Sequence, residues 1–251
     1  MGKVMIGGTG ITPFGKFLES SVRALAERAV ADALKDAAVE IGDVDMVFFG
    51  NAAGGLLNGQ ECVRGQVALR NSGLLGKPIV NVENACASSS TAFRLAHMAV
   101  ASGSAEVALA IGAEKMSNED STKPIKALET AADVEELEAF KARISPDGAG
   151  TGSVFMDLYS SVARDYMVTN GATAEDFARI SVKQRHAGAL NPIAQFRADV
   201  DIEEVLTSRM IADPITLMMC SSIGDGAAAL VVMSEAAAAK RNIQPVQILA
   251  C

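Results

Sequence analysis

The chain has 251 residues, 49% hydrophobic and 21% charged, enough for one large domain or two small ones around a well-buried core. A formal charge of −8 argues against binding through a nucleic acid backbone, which requires a basic surface, and an acidic ligand would need a local basic patch. No signal-peptide layout opens the chain and no apolar run approaches the ~20 residues of a membrane span, so no membrane partner is expected and the cytoplasm is the expected compartment.

In chain order, β-branched and aromatic clusters between glycines predict strands at Val4 to Gly7, Val44 to Gly50, Pro78 to Val82, Val107 to Ala113 and Ala228 to Met233. Most are continuously apolar, which suits strands buried on both faces, as parallel strands usually are. Helical spacing predicts Val22 to Ala38, Gln60 to Ser72 and Ser88 to Ala101 between them. The alternation of strand and helix makes the fold class α/β.

The alternation breaks between Ser117 and about Asp213. An acidic segment, Leu128 to Phe140, and a glycine cluster, Asp147 to Gly152, precede helices at Val154 to Asn170 and Thr173 to Leu190. Thr173 and Asp176 stand close to a capping-box pattern, and Asn191-Pro192 stops the second helix. This stretch reads as a mostly helical insertion covering one end of the sheet. Gln244 to Cys251 looks like the start of a further strand, an apolar edge in need of a partner.

Cys62, Cys86, Cys220 and Cys251 show no spacing for a zinc site or redox pair and read as reduced thiols, with Cys62 and Cys220 expected to be buried. The acidic run Asp133 to Glu138 reads as a solvated helix face, so no metal site is expected. Asp225-Gly226 reads as a turn into a strand, and Gly7 to Gly10 lacks the spacing of a dinucleotide fingerprint.

Cys86 stands apart. It follows the strand Ile79-Val80-Asn81-Val82 and precedes a helix, where free backbone N–H groups and the helix dipole favour a thiolate. The same N–H groups can bond an oxyanion after the thiolate attacks a thioester carbonyl. The residues alone leave two readings open, a nucleophile or a small buried hydrophobe.

Asn84-Ala85-Cys86-Ala87-Ser88-Ser89-Ser90-Thr91-Ala92, followed by Gly112-Ala113-Glu114-Lys115-Met116-Ser117, resembles the nucleophile motif of thiolases, especially the sterol-carrier-type branch. Three further stretches agree in order. They are Gly59-Gln60 with Arg64 and Gln66, Asp176 through Arg185-His186 to Gln195-Phe196-Arg197, and Asp213-Pro214 through Ser221 to Gly224-Asp225-Gly226-Ala227. The resemblance covers essentially the whole chain.

It implies a thiolase-like βαβαβ half, a mixed sheet sandwiched by helices with a mostly helical inserted loop domain. Residues 1–116 would form the core, 117–213 the insertion, and 214–251 the return to the core and the start of a second half. It further implies a homodimer or larger oligomer, coenzyme A and acyl-CoA as substrates, no permanently bound cofactor, Cys86 as nucleophile, and Ser221 against the pantetheine arm. In the family the activating histidine and the first oxyanion hole come from the C-terminal half, which is not in this sequence. His97 lies about 16 Å from Cys86 along the helix, and His186 falls in a structural part of the loop region; both read as structural. A partner chain supplying the second half, or a zinc-ribbon and oligonucleotide-fold subunit that holds acyl-CoA, is a further expectation. The alternatives are a non-catalytic subunit acting as scaffold and a ketosynthase-like condensing enzyme. Related retro-aldolases lack the nucleophilic cysteine, which counts against that reading.

Overall fold

Alanine-rich helix faces and valine-rich strands pair off along this chain, and the layers follow from that pairing. A computed structural model describes residues 2–145 and 150–251. The elements, in order, are β1 (Val4–Ile11), α1 (Val22–Asp36), β2 (Met46–Gly50), α2 (Gly54–Asn58), α3 (Arg64–Ala68), β3 (Ile79–Val82), α4 (Ser88–Ala101) and β4 (Val107–Lys115). After them come α5 (Thr122–Glu129), α6 (Leu137–Ile144), α7 (Val154–Asn170), α8 (Ala174–Leu190), α9 (Ile202–Thr207), β5 (Met210–Ala212) and β6 (Ile215–Thr216), then β7 (Asp225–Ser234), α10 (Glu235–Ala239) and β8 (Val246–Gln247). Two compact units result, one of residues 1–119 with 224–251 and one of residues 120–223.

The first unit is a six-stranded mixed sheet in the order β3-β2-β4-β7-β1-β8. β2 runs parallel to β3 and β4, whereas β7 is antiparallel to β4 and β1, and β8 antiparallel to β1. On one face Ala26, Ala29, Val30 and Ala33 of α1 pack against Val47, Phe49, Leu109, Ile111 and Val231. On the other face Ala92, Ala96 and Val100 of α4 pack against Phe48, Ala108, Ala110 and Val232. Small alanines let both helices approach closely, so the sheet is buried on both sides. The apolar runs of β1 and β7 therefore report two-sided burial and not parallel direction.

Three local expectations need correction. Gln60 to Ser72 does not form one helix: only Arg64–Ala68 is helical, because Gly59 (φ 74°) and Val63 (φ 48°) adopt left-handed backbone that breaks the spiral. The acidic run is solvated as expected but is not a helix face, since Asp133 to Glu136 form an exposed bend between α5 and α6 and only Leu137 and Glu138 of the run are helical. Gln244 to Cys251 is not an unpaired edge; Val246 and Gln247 pair with Ile6 and Met5, and the Ile248 N–H donates to the Val4 carbonyl at 3.0 Å.

The second unit is mainly helical. α7 and α8 occupy Val154–Asn170 and Ala174–Leu190, and the Thr173–Asp176 capping box is formed: the Thr173 N–H donates to Asp176 Oδ2 at 2.8 Å and the Asp176 N–H to Thr173 Oγ1 at 3.4 Å. Within the predicted glycine cluster, Asp147, Gly148 and Ala149 lie outside the described residues. Among the described residues, no helix is long and apolar enough to cross a membrane.

Candidate active site

β3 ends at Val82, and the chain then makes a single 3-10 turn, Ala85–Ala87, before entering α4. Cys86 sits in that turn, exposed. Two of the turn's N–H groups are already used: Ala85 donates to Glu83 Oε1 at 2.7 Å and Ala87 to the Asn84 carbonyl at 2.9 Å. The Cys86 N–H, between them, stands at a helix start, where the first N–H groups have no intrahelical acceptor, and such a group can donate to an oxyanion.

The turn is strained. Ala85 has φ 44°, a left-handed conformation that costs a residue bearing Cβ about 1–2 kcal/mol. Buried Ser88 braces it, accepting the Asn84 N–H at 2.9 Å and donating to the Ala85 carbonyl at 2.7 Å. Asn84 Nδ2 also donates to Thr91 Oγ1 at 3.0 Å.

The first turn of α4 lies hard against the sheet because two strand positions lack a side chain. A Cβ on Gly50 would stand 2.8 Å from the Ser88 carbonyl oxygen and 2.9 Å from the Ser89 nitrogen, and one on Gly112 would collide with Ser89 Oγ. These contacts fix the height at which Cys86 stands above the strand ends.

Beside the turn is a polar frame. Asn51, directly after β2, donates from Nδ2 to the Ala113 carbonyl at 2.8 Å and to Glu114 Oε1 at 2.9 Å. Glu114 also accepts the Ala52 and Ala53 N–H groups, and Arg64 donates to the Asn51 and Ala52 carbonyls. Burial pushes the Glu114 pKa up, and these N–H donors, Arg64 and Asn51 only partly offset it. On the next strand pair, Lys115 Nζ lies 3.3 Å from Asp225 Oδ2, both buried. Burial pushes Asp225 up too, but hydrogen bonds from Ser117 and Phe17 and the Lys115 charge outweigh it, so its pKa is lowered.

The remaining sequence-predicted residues fall elsewhere. Ser221 is exposed and belongs to the second unit. Cys62 is exposed in the loop before α3, contrary to the expectation of burial, next to the left-handed and likewise exposed Val63. Cys220 is partly buried, its Sγ 3.4 Å from the Thr216 carbonyl oxygen, and burial raises its pKa. His97 lies partly buried on α4. His186 is exposed and pairs through Nδ1 with Asp199 Oδ1 at 3.0 Å. Sequence reasoning missed Glu83, Asn51, Glu114 and the Lys115–Asp225 pair, whose partners are set by backbone shape or long-range strand register.

Residues 4–236 match the family model described as thiolase, N-terminal domain. The chain belongs to the thiolase family. It is 37% identical over 250 residues to the acetyl-CoA acetyltransferase of Methanothermobacter thermautotrophicus, covering 100% of this chain and 62% of that protein. It is 36% identical over 249 residues to the benzoylsuccinyl-CoA thiolase subunit BbsB of Thauera aromatica, covering 98% of this chain and 59% of the relative. A solved Ltp2-ChsH2(DUF35) aldolase superposes with a TM-score of 0.73 at 29% identity, over 98% of this chain and 59% of that one. This thiolase-family chain thus spans about three fifths of the length of the relatives it matches.

Proposed function

We propose that this chain provides the acyl-accepting half of a thiolase-type acyl-CoA acyltransferase. The observation that carries the reading is Cys86, exposed in a braced turn at the start of α4 with its own N–H unused by the helix. In the cleavage direction its thiolate attacks the 3-keto carbon of a 3-ketoacyl-CoA. The C2–C3 bond breaks, the departing carbanion takes a proton and leaves as acetyl-CoA, and acyl-Cys86 remains. Coenzyme A thiolate then attacks the acyl carbonyl and releases Cys86. In the synthetic direction a Claisen condensation runs the same acyl-cysteine against a carbanion.

The base and the first oxyanion hole are proposed to come from a C-terminal half, in keeping with relatives that are longer than this chain. Ser221 is proposed to lie along the pantetheine arm, residues 117–213 to form the inserted loop domain, and the working protein to be cytoplasmic and oligomeric. The word subunit in the name of the Thauera relative, and the two-component name of the aldolase, favour a second reading of partnership: a complex with another chain that helps hold acyl-CoA.

The test is competitive alkylation. Iodoacetamide at neutral pH is expected to modify Cys86 first among the four cysteines of this chain, and acetyl-CoA to protect it while leaving an acyl group on the Cys86 peptide. Faster modification of Cys62 or Cys220, without protection, would sink the assignment.

A further inference from the structure

Glu83 has no part in the acyl-transfer scheme, yet its carboxylate reaches forward to accept the backbone N–H of Ala85, the residue before the nucleophile. We propose that Glu83 is a positioning residue, one arm of a clamp that holds Ala85 left-handed and so presents Cys86; the inference rests on Cys86 being the nucleophile.

Three observations carry it. Ala85 occupies a conformation, φ 44°, from which a residue with a Cβ relaxes unless its surroundings hold it. Its N–H and its carbonyl, the two handles by which the turn can be held, are both taken: Glu83 Oε1 accepts the N–H at 2.7 Å, and Ser88 donates to the carbonyl from Oγ at 2.7 Å and from its own backbone N–H. Ser88 is itself fixed, being 3% exposed and holding the Asn84 N–H at 2.9 Å. Glu83 is the other arm and the exposed one. A carboxylate accepting a backbone N–H is roughly twice as strong as a neutral acceptor, which is what an exposed clamp against water needs. Release of Ala85 into an ordinary conformation rotates the following peptide, and the Cys86 N–H and Sγ leave their places together.

A carboxylate two residues from a thiolate also opposes it electrostatically, so loss of Glu83 acts in two directions. If the field were the main effect, removing the charge would speed Cys86; if the clamp is, removing the acceptor slows it. Glu83→Gln removes the charge and keeps an acceptor oxygen, separating the two. Ala85→Gly removes the need for a clamp, since glycine adopts the left-handed region freely.

The experiment measures iodoacetamide alkylation at neutral pH, peptide by peptide, in the wild type, E83A, E83Q, A85G and E83A/A85G proteins, with Cys62 and Cys251 as internal references and urea midpoints as a control for folding. E83A is expected to slow Cys86 about 5- to 30-fold with the reference cysteines and the midpoint unchanged. E83Q should match or exceed the wild-type rate. E83A/A85G should fall within about threefold of A85G alone, which is the coupling a clamp predicts and a general loss of structure does not. An E83A rate equal to or above wild type, or an equal slowing in the A85G background, overturns the clamp while leaving Cys86 as the nucleophile. Should wild-type Cys86 react no faster than Cys62, the nucleophile assignment itself falls, and the clamp with it.

Discussion

Asp225→Asn tests the buried pair at the start of β7. Oδ1 of Asp225 accepts the Met116 N–H at 2.8 Å and the Ser117 N–H at 2.7 Å. Oδ2 accepts the Phe17 N–H at 2.8 Å and the Ser117 hydroxyl, and faces Lys115 Nζ at 3.3 Å. Whichever way an asparagine is placed, its NH2 group meets N–H donors, and Lys115, with a side chain 7% exposed, loses its counter-charge. Removing one member of a buried ion pair costs about 3–5 kcal/mol, a large share of the ~5–15 kcal/mol that holds a domain together. Lys115→Met in the same chain removes the orphaned cation and should recover part of that loss. The pH dependence has a definite sign. Because the folded pKa of Asp225 is lowered, its stabilisation is complete above the unfolded value near ~3.9 and disappears as pH falls through the lower folded value. Urea unfolding at pH 7, 5 and 3 should therefore show a wild-type advantage that is flat down to about pH 4 and shrinks below it. An advantage under ~1 kcal/mol at pH 7, the scale of an exposed pair, would refute the reasoning.

Glu114 carries the opposite sign. Burial raises its folded pKa, so its contribution is most favourable at low pH and is lost as pH rises through that raised value. Glu114→Gln should gain on the wild type as pH increases from about 4 to 7, read from urea midpoints; a pH-independent gap would remove burial as the cause. Gly112→Ala puts a methyl group onto Ser89 Oγ and should cost about 1–3 kcal/mol of stability, with slower alkylation of Cys86 as α4 lifts from the sheet. Unchanged stability would show that Ser89 turns away without consequence.

The long elements were legible because local chemistry and packing agree in them. α4 begins at Ser88 and ends at Ala101 where the alanine spacing places it, and α8 begins at the Thr173 cap that its sequence declares. The failures have a common origin in backbone conformation. Nothing in the side chains of Gln60 to Ser72 announces a left-handed Val63, and the apolar run of β7 reads the same whether its neighbours are parallel or antiparallel. Cys86 was legible as chemistry on a strand-to-helix turn. Glu83 was not, because its role depends on the φ of Ala85, and Asp225 was not, because its partner stands 110 positions away and is found only through strand register.

That register explains why a buried acid belongs beside the site. β2, β3 and β4 run parallel, so Gly50, Val82 and Lys115 bring their carboxyl ends to the same edge of the sheet, where ligands of α/β sheets bind. The loops leaving that edge carry Asn51 from β2, Glu83 and Cys86 from β3, and Ser117 from β4. β7 lies against β4 in the opposite direction, so the end that reaches this edge is its beginning, and Lys115 pairs in register with Asp225. A residue that opens an antiparallel strand here has backbone N–H groups converging on it from two loops, Phe17 on one side and Met116 and Ser117 on the other. A carboxylate satisfies those donors at once, and the Ser117 and Phe17 hydrogen bonds, with a smaller contribution from the Lys115 charge, hold its pKa down. The mixed direction of the sheet thus places the anchor of the β4 loop at the same end as the cysteine, and loosening Asp225 should be felt in Cys86 reactivity as well as in stability.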